Sequence, residues 1–564
     1  MLAGCLSGGL TFAAERVSPI IGPDGRIISH SGPREDPPGP ALGPTPIHPN
    51  AEAGLAMPYA GKAIDVTTFH YDNLRTGWNR AETALTPATV KSGKFGLLKT
   101  LTVDGNVFAQ PLVVSQFPFR SKGSDGAFEL HDVLIVATGH NTVYAFDAQT
   151  YEILWQRSLG TPQSSTDVGC TDVTPEYGIS STPVIVRESP RKASVYVVAA
   201  TEPTPLEFHA KLYRLNLSTG ADVVAPAEIA PQATLSDGSS IAFDPKNQWN
   251  RTALIWANDS VYVGIGSHCD NNGGEISGWL VRYNSSLLQQ AAFNTIDDSA
   301  AYKMASLWGS GFGPSADLAG NIYMVTGNGD FDADQGGRNY GQSVVSLTPS
   351  LTRVRSSFTP GNYGALNDED RDLGSGGVML LPSLGSGVPP LAVAIGKDPV
   401  LFLLNRSALG GYSVNNAGAL QVLGTNSQYG VWGGPAYFGS PSGSMVYVQP
   451  SSAVLQGYSL SGTTAPTLTA TLAGTSVGAF GGSMPIVSSN QSTPATGVVW
   501  LIRRTHTPWL EAYDAQFLGA PIYQAPTIGT WSSTRSNAYL TPTVANGRVY
   551  VGTYLSVSVF GLTP

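Results

Sequence analysis

The sequence predicts an all-β protein, an eight-bladed β-propeller closed by pairing strands from its two ends. Three observations predict it. Gly (65) and Pro (40) are abundant, and short runs rich in Val, Tyr, Ile and Leu are bounded by Gly, Asn, Asp and Ser, the pattern of strands joined by tight turns. A strand–turn–strand unit, "DVLIVATGHNTVYAFDAQTYEILWQRSL" at 132–159, recurs along the chain. The last copy stops one strand short at the C-terminus, while an apolar strand with no blade of its own, "FGLLKTLTV" at 95–103, stands near the start.

The copies follow in order. Clear echoes lie at 193–224, 259–293 and 320–358, and weaker ones at 390–412, 444–472 and 497–525. A further short strand built on small residues and often Pro precedes most of them, as in "VFAQPLVV", "ISSTPVIV", "GSGGVMLL", "VWGGPAYF" and "YLTPTVA". Each unit therefore holds four strands in about 50 to 70 residues, a length that suits a propeller blade. An unpaired edge is costly in a closed sheet protein, so 95–103 is expected to supply the missing fourth strand of the last blade. Residues 63–564 then form the propeller. Ser310 in "WGSGFG" and Ser375 in "LGSGGV" fall where small residues let eight inner strands converge, and there is no nucleophile elbow.

Ahead of the propeller, 17–62 is rich in Pro and Gly without periodicity and reads as a tether. Residues 1–16, "MLAGCLSGGLTFAAER", read as the tail of an export signal. Within it "LAGC" has the form of a lipobox, which would make Cys5 a lipid anchor, although only Met1 stands before the motif. The chain is therefore expected to be exported, either secreted or held in the periplasm or cell envelope. The net charge of -9 and the lack of a Lys/Arg cluster argue against nucleic acid as a partner. No run of about 18 apolar residues suggests a membrane span. Cys170 and Cys269 either form a disulfide or remain two buried thiols.

Strand alternation sorts the connectors by face. Those joining the second and third strands of a blade, and those joining one blade to the next, share one face. They carry His140, Asn141, Asp167, Cys170, Asp172, Glu176, His268, Cys269, Asp270, Lys397, Asp398, Arg503, Arg504 and His506. Loops on a rigid scaffold are where binding concentrates, so this polar face is the expected ligand site. The alternative is that these residues satisfy turn backbones and one another. His140, His268 and His506 have the chemistry of general bases. "GDFDADQGG" places Asp330, Asp332 and Asp334 at alternate positions of a tight turn, a pattern able to offer Ca²⁺ three oxygens. "LNDEDRD" at 366–372 reads as a solvated acidic loop. "HYDNLRTGWN" at 70–79 reads as a structural segment that plugs the channel or clasps the first and last blades, with Arg75 paired to an acid.

"VYAFDAQTYEILW" resembles the repeat of the PQQ-like β-propeller family, the quinoprotein alcohol dehydrogenase-like group, in which an Ala, an Asp, a Thr-Gly turn and a Trp dock neighbouring blades. "FHYDNLRTGWN", "VFAQPLVV", "DVGCTDVTPEYGISSTPV", "GNGDFD" and "LGSGGVMLLP" extend the resemblance over 65–562, to a branch of exported PQQ-like repeat proteins. It implies the eight-bladed fold and leaves the activity open, since the group includes dehydrogenases, cofactor-free scaffolds and assembly lipoproteins. The departures count against PQQ. The docking turn is Thr150-Tyr151, and the vicinal Cys pair and the haem motif of the dehydrogenases are missing. The leading expectation is thus an exported scaffold that presents the polar face to a small molecule, glycan or protein, steadied by Ca²⁺. The alternative is a PQQ- and Ca²⁺-dependent dehydrogenase of alcohols or sugars with Glu176 or Asp172 as base, and the weaker one a polysaccharide-acting hydrolase or lyase.

Overall fold

The computed structural model describes residues 64–120, 128–269, 276–297, 304–533 and 539–563, with the backbone of a short antiparallel pair, Ile20–Ile21 and Ile27–Ser29. The rest of the expected export segment and tether, Cys5 and Asp270 lie outside the described residues. Eight antiparallel sheets of short strands follow one another along the chain. Their innermost strands are Leu112–Arg120, Val184–Ser189, Ile255–Ala257, Ser315–Ala316, Val378–Leu380, Ala436–Ser440, Ile486–Ser488 and Thr543–Ala545. The eighth blade is completed from the other end of the chain. Phe95–Thr102 pairs antiparallel with Ser556–Leu562, from Phe95 opposite Leu562 to Thr102 opposite Ser556.

Blades pack through apolar faces. The second strand of the first blade, Phe128–Ala137, has Val133 through Ala137 buried without alternation, because both of its faces meet a neighbouring blade. The docking residues of that blade behave as the repeat implies. Trp155 Nε1 donates to the Leu217 carbonyl of the second blade at 2.8 Å. Its ring lies over Gly220, where a Cβ would come within 2.6 Å of it, and φ there is +68°. Asp147 closes the following turn by accepting from the backbone N–H groups of Gln149 and Thr150 at 2.8 and 2.7 Å.

The innermost strand of each blade has no strand of its own blade on its axial side, so its inward N–H and C=O groups need partners. Residues 64–80 supply them as a strap around the channel. Val66 exchanges two backbone bonds with Val113 of the first blade, and Thr67 accepts from Ile185 of the second. Asn73 and Leu74 accept from Ala316 and Leu380, and Thr76 and Gly77 from Tyr437 and Val487, in the fourth to seventh blades. The third blade is reached by Asn73 Nδ2, donating to the Trp256 carbonyl at 2.9 Å. The eighth is held by Asn79 Nδ2, donating to the Val544 carbonyl at 2.8 Å, and by the Tyr71 hydroxyl, accepting from Val544 N–H at 2.9 Å. Residues 70–79, read as a plug or as a clasp of the first and last blades, bond to the inner strands of the third to eighth blades, while Val66 and Thr67 just before them reach the first two.

Arg75 sits at the centre of the strap, fully buried. Its guanidinium donates to the carbonyls of Phe69, Leu254 and Pro314 and to the Thr68 hydroxyl, at 2.8 to 3.0 Å. The expected acid is present only as an electrostatic neighbour, Asp72, which itself binds Thr76. Burial lowers the Arg75 pKa to about 9, against the favourable charge of Asp72. Carbonyls win because the strap and two inner strands converge there with their acceptors already aimed inward.

Replacing Arg75 by Met keeps most of the volume and leaves four buried acceptors unpaired, so Arg75→Met is expected to cost roughly 3–5 kcal/mol in denaturant unfolding. Arg157→Met, at a partly exposed pair with Asp222, is expected to cost under about 1 kcal/mol. Equal costs for the two would remove the strap from the list of structural supports.

Candidate functional site

Chemistry concentrates where the channel opens onto the face of the interblade connectors. Below that mouth the axis is filled. Phe312 lies edge-on to Phe69 and His70 of the strap, at centroid distances of 5.4 and 5.1 Å. Its ring also occupies the space beside Gly377 and Gly434, where a Cβ would approach within 1.9 and 2.2 Å. The crevice left between the third, fourth and fifth blades, lined by Thr252, Gly309, Phe312, Met324 and Gly376 among others, has a volume of about 10 Å³. That is room for about one water molecule.

Above this layer the Arg251 guanidinium is packed against three rings, 5.2 Å from Trp249 and 4.9 Å from both Trp308 and Tyr539. Next to Trp308 is a buried ion cluster. Lys397 Nζ lies 2.8 Å from Asp370 Oδ1 and 2.6 Å from Asp372 Oδ2, and 5.3 Å from the centre of the Trp308 ring. Asn328 braces both acids, its backbone N–H donating to Asp372 at 2.7 Å and its amide to Asp370 at 2.9 Å. Arg371 turns the other way, towards Glu369 at 2.9 Å and Asp398 at 3.2 Å.

Burial pushes the Asp370 carboxyl up to about 7, opposed by Lys397 and reinforced by Asp372. Burial also acts to raise Asp372, yet the Lys397 ammonium and the Asn328 N–H outweigh it and hold that carboxyl below its usual range. Burial would lower the lysine, but the two carboxylates raise it. The cluster thus keeps one permanent ion pair and one carboxyl that titrates near neutrality, 28% exposed at the mouth.

The structure brings some of the sequence-derived residues together and separates others. His140 Nδ1 pairs with Glu176 at 2.9 and 3.1 Å on the rim, and burial raises the Glu176 pKa against the pull of His140. Cys170 and Cys269 form a disulfide that ties the connector between the first two blades to a loop of the third. Asp172 lies beside it, within 4.8 Å of both sulfurs. Asp167 sits in a short helix, Ser165–Val168, beside Glu202. Asn141 is buried and donates to the Ala200 carbonyl at 2.7 Å. His268 is also buried, stacked on Trp249 and edge-on to Tyr177, with its pKa driven well down by burial and by Arg251. Arg503 pairs with the buried Glu511 at 2.7 Å, and His506 Nδ1 meets the Trp531 carbonyl at 2.9 Å. Arg504 is wholly inside and bonds the carbonyls of Gly481, Gly482 and Trp432. Asn141, His268 and Arg504 therefore present nothing to a ligand on the face.

Asp332 is used by its own turn, accepting from the Asn339 backbone and amide at 2.9 and 2.7 Å, while Asp334 is exposed. Among the described residues the group of His, Cys, Asp or Glu ligands that converges is Cys170, Asp172 and Cys269, not Asp330, Asp332 and Asp334. The acidic loop at 366–372 departs from its reading as a solvated turn. Asp372 and Arg371 are each 2% exposed, because the loop is packed under the fourth and fifth blades. Asp370, Asp372, Asn328 and Trp308 were not legible as a site, since their burial is tertiary.

The crevice between the third, fourth and fifth blades does not take a quinoprotein cofactor. A tricyclic quinone needs a chamber on the scale of small-molecule pockets, roughly 300 Å³ or more, and that crevice offers about 10 Å³. The carboxylate pair that could hold Ca²⁺ already holds the Lys397 ammonium.

No family model and no curated protein matches the chain. Solved structures do. Quinohemoprotein alcohol dehydrogenase from Comamonas testosteroni aligns with a TM-score of 0.59 at 14% identity, over 90% of this chain and 82% of its own. A europium-containing methanol dehydrogenase aligns at 0.57 and 13% identity, over 89% of this chain and 99% of its own. A second quinohemoprotein alcohol dehydrogenase, from Pseudomonas putida HK5, gives 0.55 and 11%, over 88% and 80%. At these identities the likeness establishes a shared fold, the eight-bladed propeller of the quinoprotein alcohol dehydrogenases.

The titration of Asp370 has a defined sign. Its folded pKa lies above the usual carboxylate value, so its contribution to stability is full below the unfolded pKa and is lost as pH rises through about 7. Wild type is therefore expected to lose stability relative to Asp370→Asn between about pH 4 and pH 7 in denaturant melts. Parallel curves for the two would mean that Asp370 is ionised normally. Lys397→Met strands two carboxylates and is expected to cost roughly 3–5 kcal/mol at pH 7.

Proposed function

We propose that this chain is an exported binding propeller, which holds a small molecule or glycan at the channel mouth on the connector face and does no chemistry on it. The channel mouth carries the reading: above the layer in which the strap and Phe312 pack together, it keeps a prebuilt set of charges and aromatic rings. Such a combination, a few fixed polar groups among rings, is what small-ligand sites are made of. Export is supported by residues 1–16 and by the Cys170–Cys269 disulfide, since disulfides persist mainly in oxidising compartments.

One observation favours a second reading, oxidation of an alcohol with PQQ and Ca²⁺. Asp370 is a carboxyl titrating near neutrality beside a lysine and an aromatic ring, which is the equipment of a general base. In that reading Asp370 replaces Glu176 and Asp172 as the proton acceptor, because Glu176 is engaged with His140 and Asp172 lies beside the disulfide.

Thermal melts with PQQ plus Ca²⁺ and with Ca²⁺ alone, alongside dye reduction with short alcohols, separate the two. The binding reading expects no PQQ-dependent shift and no reduction. A PQQ-dependent rise of several degrees with alcohol-dependent reduction would overturn it, because only a ligand that prefers the folded state stabilises it.

A further inference from the structure

At the edge of the ion cluster, on connectors other than that of Trp308, lie two aromatic rings in contact with each other. Trp432 is half-buried and Phe480 is 51% exposed, with ring centroids 4.9 Å apart and planes tilted by 43°. They come from different connectors, one entering the sixth blade and one entering the seventh. A scattered exposed aromatic is ordinary. This pair is held from beneath by a dedicated support: Trp432 N–H donates to the Gly481 carbonyl at 3.0 Å, and the buried Arg504 binds the carbonyls of Trp432, Gly481 and Gly482. A fully buried guanidinium that locks two surface loops together is a costly device. Its effect is to fix both backbones under the rings.

The same loops run on into the ion cluster. Gly430 and Val431 donate to the carbonyls of Lys397 and Gly396 at 2.6 and 2.8 Å, and Lys397 Nζ stands 6.0 Å from the Trp432 ring centre. A ligand lying on Trp432 and Phe480 would therefore have a fixed carboxyl and ammonium at its rim. The charges restrict what that ligand can be. A cation meets Lys397, which already uses the faces of both Trp308 and Trp432. An anion meets Asp370, Asp372, Glu369 and Asp398, four acids against the three bases Lys397, Arg371 and Arg251. What remains is an uncharged molecule with an apolar face to stack and hydroxyls around its edge.

We propose that the Trp432–Phe480 platform binds the C–H face of a neutral hexopyranose unit, with Asp370 and Lys397 hydrogen-bonding its hydroxyls and Arg504 as the positioning residue. This rests on the binding reading above and names its ligand class.

The test is calorimetric titration of the full chain with cellohexaose, maltohexaose and mannohexaose, with hexagalacturonate and the hexamer of chitosan as charged comparisons. At least one neutral hexasaccharide is expected to bind, and Trp432→Ala and Phe480→Ala each to weaken it at least about tenfold with the melting temperature unchanged. Phe480 is the safer variant, being mostly in solvent. Three results would overturn the assignment: no neutral sugar binding at 10 mM (about 10 mM being far above the range of useful affinity), binding indifferent to both substitutions, or tighter binding of either charged oligomer. A PQQ response in the melts strikes the binding reading itself, whereas silence from every sugar without a PQQ response strikes only the hexopyranose.

Discussion

Eight strand edges facing one narrow axis are the constraint on which this molecule is built. Each inner strand turns N–H and C=O groups towards the channel, and a buried group left without a partner costs roughly 1–3 kcal/mol. Residues 64–80 meet that demand blade by blade, and Arg75 gathers the carbonyls that the strap's own backbone cannot reach. Backbone strain is accepted for it, with positive φ at His70, Tyr71 and Arg75. Small residues at the strand entrances, Gly376, Gly377 and Gly434, then let the neighbouring connectors close over Phe312.

Filling the axis displaces function to the mouth. There the molecule manages charge by internal pairing: Lys397 lies between Asp370 and Asp372, and Arg371 between Glu369 and Asp398. Ions this well buried are tolerated only with partners and further hydrogen bonds, which Asn328 provides. The outcome is a mouth that is polar and rigid, with a single carboxyl left free to change its charge near neutral pH. Aromatic rings border it on both sides, Trp308 within and Trp432 towards the rim.

The architecture was readable because it is periodic. The repeat located every blade, the truncated last copy called for Phe95–Thr102, and strand alternation assigned the connectors to faces. The site was less readable because burial is not periodic. A run such as "LNDEDRD" has the composition of a solvated loop, and nothing local says that Lys397, 27 residues further on than Asp370, folds back to cover it. Arg504 looked like a cation for a ligand because it follows the second strand of its blade in a connector, but the carbonyls that claim it come from 22 to 72 residues away. Trp432 lay hidden in "VWGGPAYF", whose small residues advertise convergence at the axis and mask the ring at its start.

The closing strand and the strap share an origin: both lie in the first stretch of the propeller chain, and both need partners made last. Ile64 N–H bonds Asn546, 482 residues away, and Phe95–Thr102 waits for Ser556–Leu562. Local blades can form as they emerge, but contacts of such separation add their loop-closure cost before any reward arrives. A chain whose blades have formed but whose ring is still open would therefore be an arc with two sticky ends, an apolar strand at one and an unfinished blade at the other. Such an arc is the form most exposed to joining a second copy of itself, so the concentration of newly made chains decides whether the ring closes on its own tail or on a neighbour's.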